Sequence, residues 1–359
     1  MISNKSPILA AAAAVGMVTM LPAGARAETR VLETGSSLLY PLFNIWVPVY
    51  AKSHPVQITT QSTGSGTGIS EAISGLAQIG ASDAYLSPAI HQQHPNMLNI
   101  PLAISSQMVN YNLPSLNGDH LKLSGPVLAG IYGGKITHWD DPQIAKLNPG
   151  VKLPHQTIIP VHRTDGSGDT FIFTQFLSAS TPDWASTHGY GTTISWPAIS
   201  GEIGAEGNQG MVSAVQQNPY SIAYIGISYK GATDQDKLGE AELQNKAGNF
   251  VLPDNQTVQA AAAAAAGQTP KDESMSLIFQ PGAQSYPIIN YEYAIVSTGL
   301  PAQTATAVRD FLGWTIQSNG GNAPGFMKKV DFVPLPAAIR RLSEDQIKAI
   351  GPQRSASNP

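Results

Sequence analysis

The chain has 359 residues, 42% of them hydrophobic and 12% charged, which is enough apolar material for two ordinary cores and excludes a disordered or fibrous protein. Its formal net charge of −4 argues against a nucleic-acid partner and leaves any bound anion to local donors rather than to the overall field. There is no cysteine, so the sequence offers neither a disulfide nor a site for a cysteine-borne lipid.

In chain order, Lys5, the apolar run from Ile8 to Leu21 and the small-x-small triplet Ala25-Arg26-Ala27 read as a cleavable secretory signal over residues 1–27. The run is too short and wrongly flanked for a lasting membrane span. Its removal would take Lys5 and Arg26 and leave 18 basic against 24 acidic residues, a net of −6, with Glu28 at the new N-terminus. Strand and helix signals then alternate. Val31-Leu32 enters a loop at Gly35, and Pro41 to Tyr50 reads as an amphipathic helix with Leu42, Ile45, Trp46 and Val49 on its face. Val56 to Thr60 is a strand, Ile69 to Leu76 a helix, and Ile79 to Ser82 a short buried strand. This alternation predicts α/β layers on a largely parallel sheet.

Pro101 to Ser105 and Met108 to Tyr111 form an extended run that leaves this first unit, and Pro287 to Val296 brings the chain back to it. The expected division is lobe I over 28–106 plus 287–359 and lobe II over 107–286, joined by a hinge of two crossing strands. Gln256 to Ala266 is expected as an alanine-rich surface helix. Thr304 to Trp314 is expected as an amphipathic helix with Val308, Phe311, Leu312 and Trp314 inward, and the tail from Pro352 as loose.

Two stretches share one unusual build. Ser62-Thr63-Gly64-Ser65-Gly66-Thr67-Gly68 and Arg163-Thr164-Asp165-Gly166-Ser167-Gly168-Asp169-Thr170 each lie between an apolar strand and an apolar helix. A helix start leaves backbone N–H groups unpaired and carries partial positive charge; glycines admit a ligand to that backbone and serines add donors. Such clusters also serve as plain turns or caps. The pair, one member carrying an arginine, points to one tetrahedral anion gripped from two sides. Neither stretch is a Walker loop, and in the first Ile69 stands where G-x-G-x-x-G needs its third glycine, which argues against a nucleotide.

At these residues the chain resembles the periplasmic phosphate-binding proteins of the phosphate ABC transporter. The likeness runs through Gly35-Ser36-Ser37-Leu38, Thr63 to Gly68, Gly80 to Ala84, Lys135 to Asp141, Ala145 to Gly150, Arg163 to Thr170 and Tyr286-Pro287-Ile288. Gly166-Ser167-Gly168-Asp169-Thr170, with Asn110 to Pro114, is most similar to the mycobacterial-type branch. The resemblance implies a two-lobed periplasmic binding protein of type II. It implies a non-enzymatic receptor, diffusible in a periplasm, that takes inorganic phosphate and hands it to permease subunits of the inner membrane served by a cytoplasmic ATPase, without a cofactor or metal. The ligand residues it implies are Ser36, Ser37, Leu38, Ser65, Asp83, Arg163, Ser167, Gly168 and Asp169, with Asp165 supporting. Most of the family reads Gly-Ala-Thr-Phe-Pro at the first loop; aligning on Gly35 keeps a hydroxyl, Ser37, at the threonine.

The chemistry of these residues is specific. Arg163 offers a planar fork of donors that suits a phosphate edge, and Asp165 is expected to hold that fork. A carboxylate such as Asp83 repels an anion in a dry site unless the ligand donates a proton to it. Protonated phosphate does so and sulfate does not, which discriminates against fully ionised oxyanions. A cap on a helix at Ala84 is the other reading of Asp83. Asp169 is either a second acceptor, asking a further proton of the ligand, or a helix cap. His91 and His94 sit in a surface-like stretch unlike a metal site. Asp140-Asp141-Pro142 reads as a helix cap, and no Gly-x-Ser-x-Gly elbow surrounds Ser65 or Ser167. The alternatives are a receptor for sulfate, molybdate or arsenate, and, from another class, a secreted phosphatase.

Overall fold

The computed structural model describes residue 1, residues 28–114, residue 116 and residues 120–352. The signal expected over residues 1–27 and the tail beyond Pro352 lie outside the described residues, apart from residue 1. The chain runs β1 (Thr29–Gly35), α1 (Tyr40–Ala51), β2 (Val56–Ser62), α2 (Ser65–Ser74), β3 (Ile79–Ser82), α3 (Pro88–Gln93) and β4 (Met97–Tyr111). It continues through β5 (Lys122–Leu123), α4 (Gly125–Tyr132), α5 (Pro142–Leu147), β6 (Ile159–Arg163), α6 (Gly168–Ser180) and α7 (Pro182–Thr187). Next come β7 (Ile203–Ala205), α8 (Gly207–Gln217), β8 (Ser221–Gly226), α9 (Lys230–Gln235), β9 (Gly239–Glu240), β10 (Glu242–Gln244), β11 (Phe250–Val251) and α10 (Asn255–Ala266). The last elements are β12 (Ile289–Ser297), β13 (Gly299–Leu300), α11 (Ala302–Thr315), α12 (Pro324–Met327), α13 (Ala337–Ala349) and β14 (Gly351–Pro352).

Among the described residues, nine strands form one curled sheet in the order β2-β1-β3-β12-β4-β8-β6-β7, with β9 on β4. β4 carries the sheet from one lobe into the other. Its stretch Met97 to Ser106 pairs with β12, and Gln107 to Tyr111 pairs with β8. The crossing is tied at the switch itself, where Gln107 N donates to Ile288 O (3.0 Å) and Tyr286 Oη donates to Gln107 O (2.8 Å). The fold is a two-lobed α/β architecture. The sheet is mixed rather than largely parallel: the outer pairs β1–β2, β1–β3, β6–β7 and β6–β8 are parallel, while β12 and β4 run antiparallel to their neighbours. A strand that crosses a hinge and a strand that returns must lie antiparallel, which alternation of strand and helix signals cannot reveal.

Each lobe has an aromatic core. In the first, Phe43, Trp46 and Phe311 are fully buried, and Trp46 Nε1 donates to Gly321 O (2.8 Å). Burying a phenylalanine stabilises the fold by about 1.5–3 kcal/mol. In the second, Phe173 stacks on Tyr224 with centroids 4.5 Å apart, and Tyr132 Oη donates to Val161 O (3.1 Å).

Several expectations are corrected. The inward face of α1 is Leu42, Phe43, Trp46 and Tyr50, with Val49 exposed and Ile45 half-buried. α2 begins at Ser65, four residues earlier than expected, because first-turn N–H groups need no intrahelical partner and so tolerate the poor helix formers there. α10 is half-buried rather than a surface helix, packing Val258, Ala261, Ala262 and Ala265 inward; alanine hides such a face from a hydrophobicity pattern. In α11, Val308, Phe311 and Leu312 are buried as expected and Trp314 is half-buried. β3 falls on its expected residues, and Asp141 caps α5 by accepting from Gln143 N (2.8 Å).

Candidate functional site

The ends of β1, β3 and β6 meet the starts of α2, α6 and α8 where the lobes face each other. Gly35 ends β1 at φ +140°, and a Cβ there would lie 2.0 Å from Ala81 O, so no other residue lets β1 close on β3 at this point. Its carbonyl accepts from Thr63 N (2.9 Å) and Gly64 N (2.7 Å), which knots the first loop to the start of α2.

Ser36, Ser65 and Asp83 then form one bonded group. Ser36 Oγ accepts from Leu38 N (3.1 Å) and Leu39 N (3.0 Å) and donates to Asp83 Oδ1. Ser65 Oγ donates to Asp83 Oδ2 (3.3 Å) and accepts from Asp83 N (3.2 Å). Asp83 is therefore not a helix cap; the next helix, α3, starts at Pro88 and is capped by Ser87. Leu38 contributes a buried side chain against Gly226, and its N–H is already used by Ser36.

The second group is built on Arg163, whose side chain is buried. Its Nε donates to Asp165 Oδ1 (2.7 Å), one terminal nitrogen donates to Asp165 Oδ2, and the other donates to Asp169 Oδ2 (2.8 Å). Asp165 Oδ1 also accepts from Gly207 N (3.2 Å), so the fork is fixed from both sides. Ser167 caps α6 by accepting from Thr170 N (3.1 Å). That leaves Asp169 inside the first turn rather than at the cap. Its Oδ1 accepts from Gln107 Nε2 (3.0 Å) and its Oδ2 from Asn208 Nδ2 (2.6 Å).

The two groups touch. A Cβ on Gly168 would lie 2.3 Å from Asp83 Oδ2 and 2.4 Å from Ser65 Oγ. Gly66 N donates directly to Gly166 O (2.7 Å) across the lobes. Ser37 joins through Asn208, accepting from its N (3.1 Å) and its Nδ2 (2.9 Å). Asn208, Gln107 and Glu292 are the neighbours that sequence reasoning passed over. Asn208 had a signal: Ile203-Gly204-Ala205-Glu206-Gly207-Asn208 is a third strand–Gly–helix junction, without the serines and arginine that marked the others.

Charge is unevenly distributed over the site. Burial pushes the Asp83 carboxyl up to about 7, helped by the charge of Asp169 and opposed by the Ser36 hydroxyl. Burial also raises Asp169, against the pull of Arg163. Burial works against the Asp165 charge as well, but the bonds and charge of Arg163 outweigh it and hold that carboxyl below its usual range. Arg163 loses by burial and gains more from Asp165 and Asp169, so its guanidinium stays charged. The result is a buried site with a fixed cation, a fixed counter-ion, and two carboxyls whose ionisation is opposed by burial. That combination suits a tetrahedral anion that brings its own hydrogen.

The model of the PBP superfamily domain matches residues 22–319. A phosphate-binding protein PstS from Methanocaldococcus jannaschii is 33% identical over 96% of this chain and 92% of its own length. Its namesake from Pasteurella multocida is 36% identical over 89% and 90%, and phosphate-binding protein PstS 3 from Mycobacterium leprae is 33% identical over 86% and 84%. Among solved structures, a high-affinity periplasmic phosphate-binding protein (PfluDING) bound with phosphate superposes with a TM-score of 0.70 at 21% identity, over 91% of this chain and all of the other. A phosphate-binding protein from Stenotrophomonas maltophilia gives 0.69 at 23% identity, over 88% and 93%. The chain thus belongs to the PBP superfamily and, within it, to the family of PstS phosphate-binding proteins.

Proposed function

We propose that this chain is a receptor that closes its lobes on inorganic phosphate and delivers it to an ABC permease of the inner membrane, driven by a cytoplasmic ATPase. One observation carries the reading: Asp83, a buried acceptor held by Ser36 and Ser65, lies within van der Waals reach of the Gly168 backbone in the loop that Arg163 opens. An anion seated there meets donors from Arg163 and from the helix starts, and must offer a proton to Asp83. The names of the curated relatives and the phosphate-bound neighbour support the same ligand.

The proposed ligand set is Ser36, Ser37, Leu38, Ser65, Asp83, Arg163, Ser167, Gly168 and Asp169, with Asp165 holding Arg163. Ser37 and Leu38 line the first loop, and Asp169 shares Asn208 with Ser37 and Arg163 with Asp165. The lobes divide as 28–106 plus 287–359 and 107–286. Among the described residues no helix is long and apolar enough to cross a membrane. We place the mature protein in the periplasm, released by cleavage after residue 27. It acts as a receptor rather than a phosphatase. Titration calorimetry with phosphate, sulfate and arsenate, paired with a chromogenic phosphate ester, tests the proposal. Phosphate should bind at one site per chain far more tightly than sulfate, with no ester turnover. Equal binding of sulfate, or hydrolysis by pure protein, overturns it.

A further inference from the structure

Glu292 is a buried acid in an otherwise apolar and polar-neutral strand, and its place is set by register. β12 pairs antiparallel with β3 as Ile295 with Gly80, Ala294 with Ala81 and Tyr293 with Ser82, and continuing that register one residue past the end of β3 brings Glu292 to Asp83, whose carboxyl interacts with its own. Opposed residues of an antiparallel pair share a face, with Cβ atoms about 4.5–5.5 Å apart. The two carboxyls are in contact inside the protein, and neither is exposed.

The hydrogen bonds around Glu292 leave one gap. Oε1 accepts from Ser105 Oγ (2.5 Å) and from Asn290 Nδ2 (3.1 Å). Oε2 is buried and meets no donor. The polar group that faces it is the Asp83 carboxyl, and two carboxylates repel while a carboxylic acid donates to a carboxylate. We infer that Glu292 is a positioning residue for ligand selection: its protonated Oε2 donates to Asp83 and keeps Asp83 an ionised acceptor turned toward the cleft. The inference rests on the phosphate reading above. Asp83 and Glu292 together then hold one proton and one negative charge. Burial and the Asp83 charge both oppose ionisation of Glu292 and so favour its protonated form.

The charged groups on elements packed against β12 are few. Asp83 stands at the end of β3, and beyond it lie Arg163, Asp165 and Asp169. Glu71 lies on α2, and Glu273 is reached through Tyr293, whose hydroxyl donates to Glu273 O (2.9 Å). β4 and α10 bring no charged residue. The carboxyl that Glu292 meets directly is thus Asp83. Loss of the shared proton at alkaline pH would put a second negative charge behind the acceptor and push the bound anion away.

The test compares phosphate affinity by calorimetry in the wild type and Glu292→Gln between about pH 6.5 and about pH 9.5. Glutamine keeps a donor toward Asp83 and cannot ionise. The two proteins should agree within about twofold at the acid end, and the variant should bind about tenfold tighter at the alkaline end. Titration of phosphate itself is common to both and cancels in the ratio. Parallel pH profiles, or an equal loss at every pH, overturn the inference. Infrared difference spectra of the wild type, with glutamate carboxyls labelled by carbon-13, give a second reading that does not need the variant to fold. Phosphate should shift a protonated glutamic-acid band, and an unshifted band overturns the inference. A wild type that binds no phosphate at any pH would refute the phosphate reading instead. In that case the acid band at neutral pH, lost in Glu292→Gln, still decides the state of Glu292.

Discussion

Gly168 lies so close to Asp83 that a Cβ on the glycine would fall 2.3 Å from the aspartate Oδ2. In the proposed division the two residues come from different lobes, so the contact belongs to the closed form, and a side chain at 168 should oppose closure without disturbing either lobe alone. Gly168→Ala should therefore weaken phosphate by roughly five- to a hundredfold, from an overpacking cost of about 1–3 kcal/mol. The melting temperature without ligand should hardly move. Calorimetry and thermal denaturation check both, and an unchanged affinity would show that the lobes do not meet at Gly168 when ligand is bound.

Asp83→Asn should narrow the phosphate-to-sulfate affinity ratio. Phosphate loses one charge-assisted bond, about 1.5–3 kcal/mol, while sulfate is relieved of a like charge and gains an amide donor. Asp169→Thr should change the ratio less, because Asp169 is already taken by Arg163, Gln107 and Asn208. Affinities for both anions on the three proteins decide it.

Asp165 holds the arginine fork and lies off the discriminating acceptor. Asp165→Asn should thus weaken phosphate and sulfate by a similar factor, on the order of tenfold, from loss of one charged hydrogen-bond partner. A selective loss of phosphate would instead place Asp165 at the ligand's own proton.

Stability should depend on pH through Glu273. Its carboxyl accepts from Ser343 Oγ (3.0 Å) and Gln346 Nε2 (2.5 Å), and burial pushes it up to about 8. A raised value means that the native state holds the proton more tightly. The contribution is complete below the ordinary glutamate range and is lost as pH rises through about 8. The loss should be on the order of a few kcal/mol. Glu273→Gln should flatten that part of the profile in denaturant titrations between acid and alkaline buffers; an identical slope would show that Glu273 ionises freely.

Much of this was legible because the residues concerned carry local signals. The β1–α1–β2–α2–β3 alternation and the two Gly/Ser junctions are local patterns, and the structure sets both junctions at the lobe interface. The fork on Asp165 follows from a two-residue spacing at a strand end. What was hidden depends on distant pairing. Asn208 bridges Ser37 and Asp169 across long chain separations, and Glu292 meets Asp83 only through the β12–β3 register. The start of α2 was missed because glycines read as loop, and the buried side of α10 because every residue on it is small.

The central claim is that one phosphate ion joins the two lobes, and small-angle scattering tests it most directly. Saturating phosphate should lower the radius of gyration of the wild type, sulfate at equal concentration should leave it unchanged, and Gly168→Ala should respond less than the wild type. A radius that stays constant at saturating phosphate would mean that the Ser65–Asp83 and Arg163–Gly168 groups do not share a ligand.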